Sequence, residues 1–310
     1  MNTVLLCPGQ GAQHVGMGRD LAERFPRARA VFDEADAALG FPLSRVMWNG
    51  PEDELTLTHN AQPAILAHTL AAYAVVQRAM TPVAAAGHSL GEYSAYVAAG
   101  GLALDDAVRL VRRRGELMLK AGRERPGTMA AVIGLDVQQV AAVCKEASTD
   151  GAVVVAANMN APDQTVISGD PEGVSRAAEL LAAGGAKRVL PLKVSGAFHS
   201  PLMAPAERGL QVELERVAIS NPSFPVIANA SAEPVTDAAA ARRLLGEQLT
   251  APVRWAESMQ RAVRDAGEAE FVEIGPGTVL SGLLRRIVRG RHVHGLGNAD
   301  ELAEFLERYG

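Results

Sequence analysis

The sequence has few cysteines, no long apolar run, no basic residue in its first segment and no excess of positive charge. Only Cys7 and Cys144 occur among its 310 residues, and they form no CxxC pair and no Cys/His cluster. Two distant cysteines cannot build a disulfide framework, so we expect a reducing, cytoplasmic environment. Nothing in their placement suggests a metal, and we expect neither a metal site nor a bound cofactor.

The start of the chain and its charge exclude further classes of protein. No apolar run approaches the ~20 residues that are needed to span a bilayer. The segment MNTVLLCPGQGAQ has no basic residue and reaches Pro8 after a short apolar run, so we expect no signal peptide. A formal net charge of -5 gives no reason to expect a nucleic-acid partner, and no membrane partner is expected.

What the chain does contain is an alternation of short apolar runs and helical patterns. A hydrophobic share of 48% can supply a sizeable core. Strands are predicted at 3–7, 83–86 and 271–274, and helices within 19–39 and at 63–80, 92–99 and 104–120. This alternation predicts an α/β fold with a mostly parallel sheet.

The segment 128–195 has a different rhythm. Strands are predicted at 129–135, 153–157, 165–168 and 187–194. Asp136 is expected to cap the first helix between them, and Asp170-Pro171 to begin the second. The order βαββαβ is that of a ferredoxin-like unit. We therefore predict a small subdomain at 128–195, inserted into a large α/β subdomain formed by 1–127 and 196–310.

A nucleophile is suggested by Gly87-His88-Ser89-Leu90-Gly91, which matches G-x-S-x-G between a predicted strand and a predicted helix. In that context the serine lies on a sharp turn with its hydroxyl exposed, and the N–H of Leu90 faces a developing oxyanion. A plain glycine-rich turn would give the same pattern. The flanking strand and helix favour Ser89 as the nucleophile.

A serine nucleophile needs a base, and His199 is the best placed of the seven histidines. It lies in the loop GAFHSPLM, directly after the inserted unit, where a subdomain junction favours an active site. Neither Asp163 nor Asp170 is well placed to complete a triad. We therefore predict a Ser–His dyad, with His199 oriented by a backbone carbonyl. The alternative is a surface histidine.

Arg114 lies on the apolar face of the helix that follows Leu104, four residues from both Leu110 and Met118. An inward-facing guanidinium needs an anion, because burying it unpaired is costly. One interpretation is a structural ion pair with a buried acid. The other is a substrate carboxylate held in a bidentate contact, which would indicate a dicarboxylic half-thioester such as malonate.

Seven motifs in order resemble those of the malonyl-CoA:acyl carrier protein transacylase family, which includes the acyltransferase domains of polyketide synthases. The resemblance covers essentially the whole chain, and the ordered set is far more specific than any one motif. It implies a hydrolase-like parallel-sheet core with a ferredoxin-like insert. The motifs are PGQGAQ (8–13), QPA (62–64), GHSLGEY (87–93), Arg114-Gly115, GAFHSPLM (196–203), Gln248-Leu249 and EIGPG (273–277).

The resemblance also implies roles for individual residues and names the partners. Malonyl-CoA would be the donor and an acyl carrier protein the acceptor, in ping-pong transfer that supplies fatty acid synthesis, and we expect a monomer. The implied roles are Ser89 as nucleophile, His199 as base, Gln10 and Leu90 as oxyanion-hole donors, Arg114 for the substrate carboxylate, Gln248 as support for the histidine, Arg188 for coenzyme A phosphate and Phe198 for malonyl selectivity.

Three alternatives remain open at this point. A serine esterase or thioesterase would share Ser89 and His199 but would not need Arg114. A catalytically idle protein could dock carrier proteins. A trans-acting acyltransferase of a polyketide synthase would look the same in sequence. Docking of an acidic carrier protein would need local basic surface, and two candidates are Lys187-Arg188 and the group Arg285, Arg286, Arg289 and Arg291.

Overall fold

The computed structural model describes residues 1–310 and contains two sheets. The ten strands are β1 (Asn2–Cys7), β2 (Thr81–Gly87), β3 (Thr128–Ile133), β4 (Val154–Ala161), β5 (Gln164–Gly169), β6 (Arg188–Pro191), β7 (Val226–Ile227), β8 (Pro234–Val235), β9 (Glu270–Ile274) and β10 (Val293–Leu296).

Fourteen α-helices surround the sheets, together with short 3-10 helices at Gln77–Ala79 and Pro201–Met203. No helix is both long enough and apolar enough to cross a membrane. The helices are α1 (Arg19–Arg24), α2 (Pro26–Leu39), α3 (Leu43–Asn49), α4 (Glu52–Thr56), α5 (Thr58–Val76), α6 (Gly91–Ala98), α7 (Leu104–Glu124), α8 (Val137–Ala147), α9 (Pro171–Ala183), α10 (Ala204–Arg216), α11 (Ala238–Glu247), α12 (Trp255–Ala266), α13 (Val279–Ile287) and α14 (Ala299–Tyr309).

The larger sheet has six strands in the order β10-β9-β1-β2-β7-β8, and all neighbours are parallel except β7 and β8. The central strand β1 is buried on both faces. Leu5 and Cys7 contribute to one apolar cluster, whereas Val4 and Leu6 contribute to another. Helices thus cover both sides of the sheet, as a parallel sheet requires. The predicted α/β core is confirmed.

The smaller sheet is antiparallel, in the order β4-β5-β3-β6. With α8 and α9 it forms the predicted βαββαβ unit, which has its own apolar core around Val132, Val140 and Ile167. Asp136 caps α8 as predicted, in a capping box with Gln139. The strands and helices of this unit lie between residues 128 and 191. The boundaries 127/128 and 195/196 stay a prediction.

Asp170 occupies the predicted cap position before Pro171 at the start of α9, but its side chain does not cap the helix. Both carboxylate oxygens instead accept hydrogen bonds from Arg125, at 3.0 and 2.8 Å, and one also accepts from the N–H of Val153. A charged bidentate partner is a stronger attraction than a helix N–H. The carboxylate therefore ties this unit to the end of α7.

Helix α5 begins five residues before the predicted start at Pro63, which lies inside the helix. Proline has no N–H, so the carbonyl oxygen of His59, four residues earlier, loses its helical partner. The side chain of Arg112 supplies a replacement, because its Nη1 donates to that oxygen at 3.2 Å. A second difference is that the predicted strand 187–194 is shorter in the structure. The observed strand, β6, ends at Pro191.

Candidate active site

Ser89 lies in a tight turn between the end of β2 and the start of α6. Its φ of 51° is in the left-handed region, which a serine adopts only under constraint. Two glycines make the turn possible. A Cβ on Gly87 would lie 1.9 Å from the carbonyl carbon of Gly91, and one on Gly91 would lie 2.0 Å from the oxygen of Cys7. The turn therefore has the geometry of a nucleophile elbow.

His199 faces Ser89 across the cleft, although the two residues are far apart in sequence. Its Nε2 lies 2.8 Å from the Ser89 Oγ, and its Nδ1 lies 2.9 Å from the main-chain oxygen of Gln248. A carbonyl can only accept, so Nδ1 carries the proton and Nε2 is free to accept one from the hydroxyl. The residue itself has a positive φ of 56°. The structure thus brings Ser89 and His199 together as the predicted dyad.

Arg114 projects from α7 into the same space and is 1% exposed. Its Nη1 donates to Gln62 Oε1 at 2.7 Å, and its Nη2 donates to Gln248 Oε1 at 2.8 Å and to Ser89 Oγ at 3.2 Å. All three partners are neutral. No carboxylate forms a direct ion pair with Arg114, in contrast to the interpretation of Arg114 as one half of a structural ion pair.

Two further residues beneath the dyad, Glu92 and Asn229, hold these groups in place and were not anticipated from the sequence. The buried Glu92 Oε2 accepts from Gln248 Nε2 at 2.7 Å and from the N–H of Asn229 at 3.0 Å. Asn229 Oδ1 in turn accepts from the N–H of Ser89 at 2.7 Å, and its Nδ2 donates to the oxygen of Gly87. The only sequence signal was an acidic residue at the inner face of the small-residue helix after Gly91.

The electrostatics of the site follow from burial. Burial, and then the positive charge of Arg114, lower the pKa of His199 from 6.5 to about 3. The imidazole is therefore neutral near pH 7, as a general base must be. Burial raises the pKa of Glu92 from 4.5 to about 7, against the opposing effects of its bonds to Asn229 and Gln248.

The N–H groups of Gln10 and Leu90 donate no hydrogen bond within the chain. Leu90 directly precedes α6, so its N–H lies at the positive end of the helix. Gln10 borders the cleft, and its side-chain oxygen accepts from the Thr58 hydroxyl at 2.9 Å. Both donors are available to an anion. Their assignment to an oxyanion hole stays a prediction.

The cleft above Ser89 has a volume of about 530 Å³ and lies between the two subdomains. Phe198, which is buried, lies in its wall beside His199. The small subdomain supplies Met129, Asn158, Val166, Leu192, Lys193 and Val194.

Arg188 is the predicted site residue that the structure does not bring to the cleft. It is exposed at the first position of β6 and does not line the cavity. Lys193, five residues further on, does line it. The proposed contact of Arg188 with coenzyme A phosphate stays a prediction.

Comparisons with known proteins agree with this geometry. The model of the acyl transferase domain family matches residues 4–300. The malonyl CoA-acyl carrier protein transacylase of Bacillus subtilis is 47% identical over 92% of this chain and 90% of that protein. The protein of the same name from Escherichia coli K12 is 44% identical over 97% of each chain.

A solved structure gives the same result in three dimensions. It is a malonyl-transacylase in complex with the acyl carrier protein of a type II polyketide synthase. The match has a TM-score of 0.95 at 42% identity, and it covers 99% of this chain and 100% of that one. The likeness therefore extends over both subdomains.

Proposed function

The chain belongs to the malonyl-CoA:acyl carrier protein transacylase family, and on that premise we propose that it moves malonyl groups from coenzyme A to a carrier protein through Ser89. The acceptor is the phosphopantetheine thiol of an acyl carrier protein, and the product supplies fatty acid synthesis. The observation that carries the assignment of the site is the buried Arg114, which makes no ion pair and whose Nη2 lies 3.2 Å from the Ser89 Oγ.

The first half-reaction begins with proton transfer from the Ser89 hydroxyl to His199 Nε2 as the oxygen attacks the thioester carbonyl. The N–H groups of Gln10 and Leu90 stabilise the resulting oxyanion. The carbon–sulfur bond then breaks, and the protonated His199 gives its proton to the departing coenzyme A thiolate. The carbonyl of Gln248 keeps the imidazole in the required orientation and tautomer throughout.

The second half-reaction runs the same steps with another thiol. His199 takes the proton of the carrier thiol, whose sulfur attacks the malonyl-Ser89 ester, and Ser89 recovers its proton as it leaves. Arg114 holds the free carboxylate in both halves, which explains a preference for a dicarboxylic acyl group. Every step uses groups of this chain alone, so we propose activity as a monomer and without an added cofactor.

Intact-mass measurement tests the proposal. Mixing the protein with malonyl-CoA should add one malonyl group, and added holo acyl carrier protein should remove it and gain the same mass. Ser89→Ala should acquire no malonyl group. Loss of the malonyl group to water at the same rate with or without carrier protein would indicate a thioesterase instead.

A polyketide role deserves the same experiment, because the solved relative is bound to the carrier protein of a polyketide synthase. Fatty acid and polyketide carrier proteins should be offered in parallel at equal concentration. Faster discharge of malonyl-Ser89 by the fatty acid carrier is the result that we expect. Faster discharge by the polyketide carrier would assign the chain to that pathway.

A further inference from the structure

Three potential metal ligands project from one face of the core sheet, away from the catalytic residues. The register pairs Val293 of β10 with Phe271 of β9, so His292 lies beside Glu270. Side chains two residues apart on a strand share a face, which places His294 next to His292. These residues lie where β9 and β10 begin, whereas Ser89 follows the carboxyl end of β2. The reaction does not use them.

The ligand atoms of Glu270, His292 and His294 all lie within 4.8 Å of one another. The His294 Nε2 is 3.8 Å from the Glu270 Oε2, too far for a hydrogen bond. Tetrahedral ligands that bind zinc at 2.0–2.1 Å are roughly 3.3 Å apart. Side-chain rotation of the two exposed residues, Glu270 and His292, would close that gap without moving the strands.

His294 is the fixed member of this group. Its ring packs edge-on against Phe305 and Tyr309 of α14, with centroid separations of 5.9 and 5.8 Å. Its Nε2 is buried and has no hydrogen-bond partner. Leaving a buried polar atom unpaired costs folding free energy, and coordination of a cation would remove that cost. The unpaired nitrogen is aimed toward Glu270, where the ligand atoms converge.

We propose that Glu270, His292 and His294 form a binding site for a transition-metal dication, represented by Zn²⁺. Two imidazoles and one carboxylate suit zinc and its neighbours, whereas Mg²⁺ and Ca²⁺ prefer oxygen ligands. The bound ion links the edge strand β10 to β9 and holds His294 against α14. It is remote from the malonyl-transfer site and takes no part in that reaction. This site was not evident from the sequence, because helix α13 lies between Glu270 and the His-x-His pair.

Metal titration of the full chain tests the site. Protein freed of metal by a chelator and dialysis should bind one equivalent of Zn²⁺, measured by competition with a chromophoric chelator. Co²⁺ should give the absorption bands of a low-symmetry site. Glu270→Gln and His292→Ala should each weaken binding at least tenfold, and excess Mg²⁺ should not compete. Because both altered side chains are exposed, these variants should fold normally.

Controls separate this site from others. His14→Ala removes another exposed histidine and should bind Zn²⁺ as the wild type does. His292→Ala should retain wild-type malonyl transfer, so failure of the metal site is distinguishable from failure of the proposed enzyme activity. Equal Zn²⁺ affinity in the wild type, Glu270→Gln and His292→Ala would overturn the proposal. So would the absence of one-equivalent binding.

Discussion

The Glu92 carboxylate accepts a 2.7 Å hydrogen bond from the side-chain amide of Gln248. This bond fixes a residue that serves three catalytic groups. The same amide donates to the main-chain oxygen of Ser89. The side-chain oxygen of Gln248 accepts from Arg114, and its main-chain oxygen orients His199. Through Gln248, one buried acid is thus connected to the nucleophile, the base and Arg114.

Replacing Glu92 tests this positioning. In Glu92→Gln the amide oxygen can still accept from Gln248 and Asn229, while the new NH₂ takes the place of Oε1, which has no partner. Glu92→Leu removes both acceptors. We expect kcat within about threefold of the wild type for the glutamine variant, and a loss of roughly ten- to hundredfold for leucine, equivalent to about 1–3 kcal/mol. Stopped-flow acylation with a matched melting curve distinguishes this from unfolding, and equal rates would contradict the role of Glu92.

The depressed pKa of His199 predicts an unusual acid limb. An unperturbed histidine is only roughly 3% neutral at pH 5. With a pKa of about 3, His199 stays neutral there, so malonylation of Ser89 should fall by less than about threefold between pH 7 and pH 5. Single-turnover acylation measures it. A rate that titrates near pH 6.5 would show that the base is solvated during turnover.

The same shift has a consequence for stability, with a defined sign. The pKa of His199 is lower in the folded chain than the unfolded value near 6.5. Below pH 6.5 the unfolded state therefore binds the proton more readily than the folded state. The free energy of unfolding should decrease progressively for this reason as the pH falls from 6.5 toward 3. His68, whose pKa is lowered to about 4 by burial, acts in the same direction.

Arg114→Ala should separate two acyl groups. The malonyl carboxylate loses a buried charged contact, so kcat/KM for malonyl-CoA should fall at least roughly thirtyfold, equivalent to ~2 kcal/mol. Acetyl-CoA has no carboxylate, and its transfer should fall much less. Arg114→Lys keeps the charge but not the planar fork, and we expect it to rescue malonyl transfer only in part. An equal loss for both substrates would mean that Arg114 acts by holding Gln62, Gln248 and Ser89.

Phe198 offers a test of acyl selectivity, because its ring lies in the cleft wall directly before the base. A 2-methyl branch on the malonyl group should be crowded there. Phe198→Ser should raise the ratio of kcat/KM for methylmalonyl-CoA to that for malonyl-CoA by a factor equivalent to no more than ~1–3 kcal/mol. Phe198→Leu, which keeps most of the bulk, should change this ratio less. Competition between the two thioesters in one reaction gives the ratio. An unchanged ratio would show that Phe198 only packs in the cleft wall and does not select the acyl group.

Local patterns carried most of what the sequence predicted. The elbow at Ser89 depends on neighbouring glycines, and the inward face of Arg114 follows from helical periodicity. The roles of Glu92 and Asn229 could not be found in this way, because their hydrogen bonds join residues 137 or more positions apart. The side chain of Asp170 shows the same limit. Its position as a cap was predictable, but the competing Arg125 was not.

The last prediction concerns the surface that meets the carrier protein. Arg285, Arg286 and Arg289 are exposed at the end of α13 and just beyond it. They are not equivalent. Arg286 bonds to Asp163 at 2.6 Å in the turn after β4, so its charge is partly compensated and it links the two subdomains. Arg285 and Arg289 make no ion pair and are therefore the better candidates to attract an acidic partner.

We therefore expect Arg285→Ala combined with Arg289→Ala to raise the KM for the carrier protein and to leave the KM for malonyl-CoA unchanged. Arg286→Ala, the matched single variant, should affect the carrier KM less and the melting temperature more. Arg188→Ala should show the opposite split and raise the KM for malonyl-CoA alone. Added salt should weaken the carrier interaction of the wild type, since exposed charges are screened within about 8–10 Å at physiological ionic strength. A KM for the carrier protein that changes neither with the double substitution nor with salt would exclude the α13 surface as the docking site. The cleft rim at Lys193 would then be the next candidate.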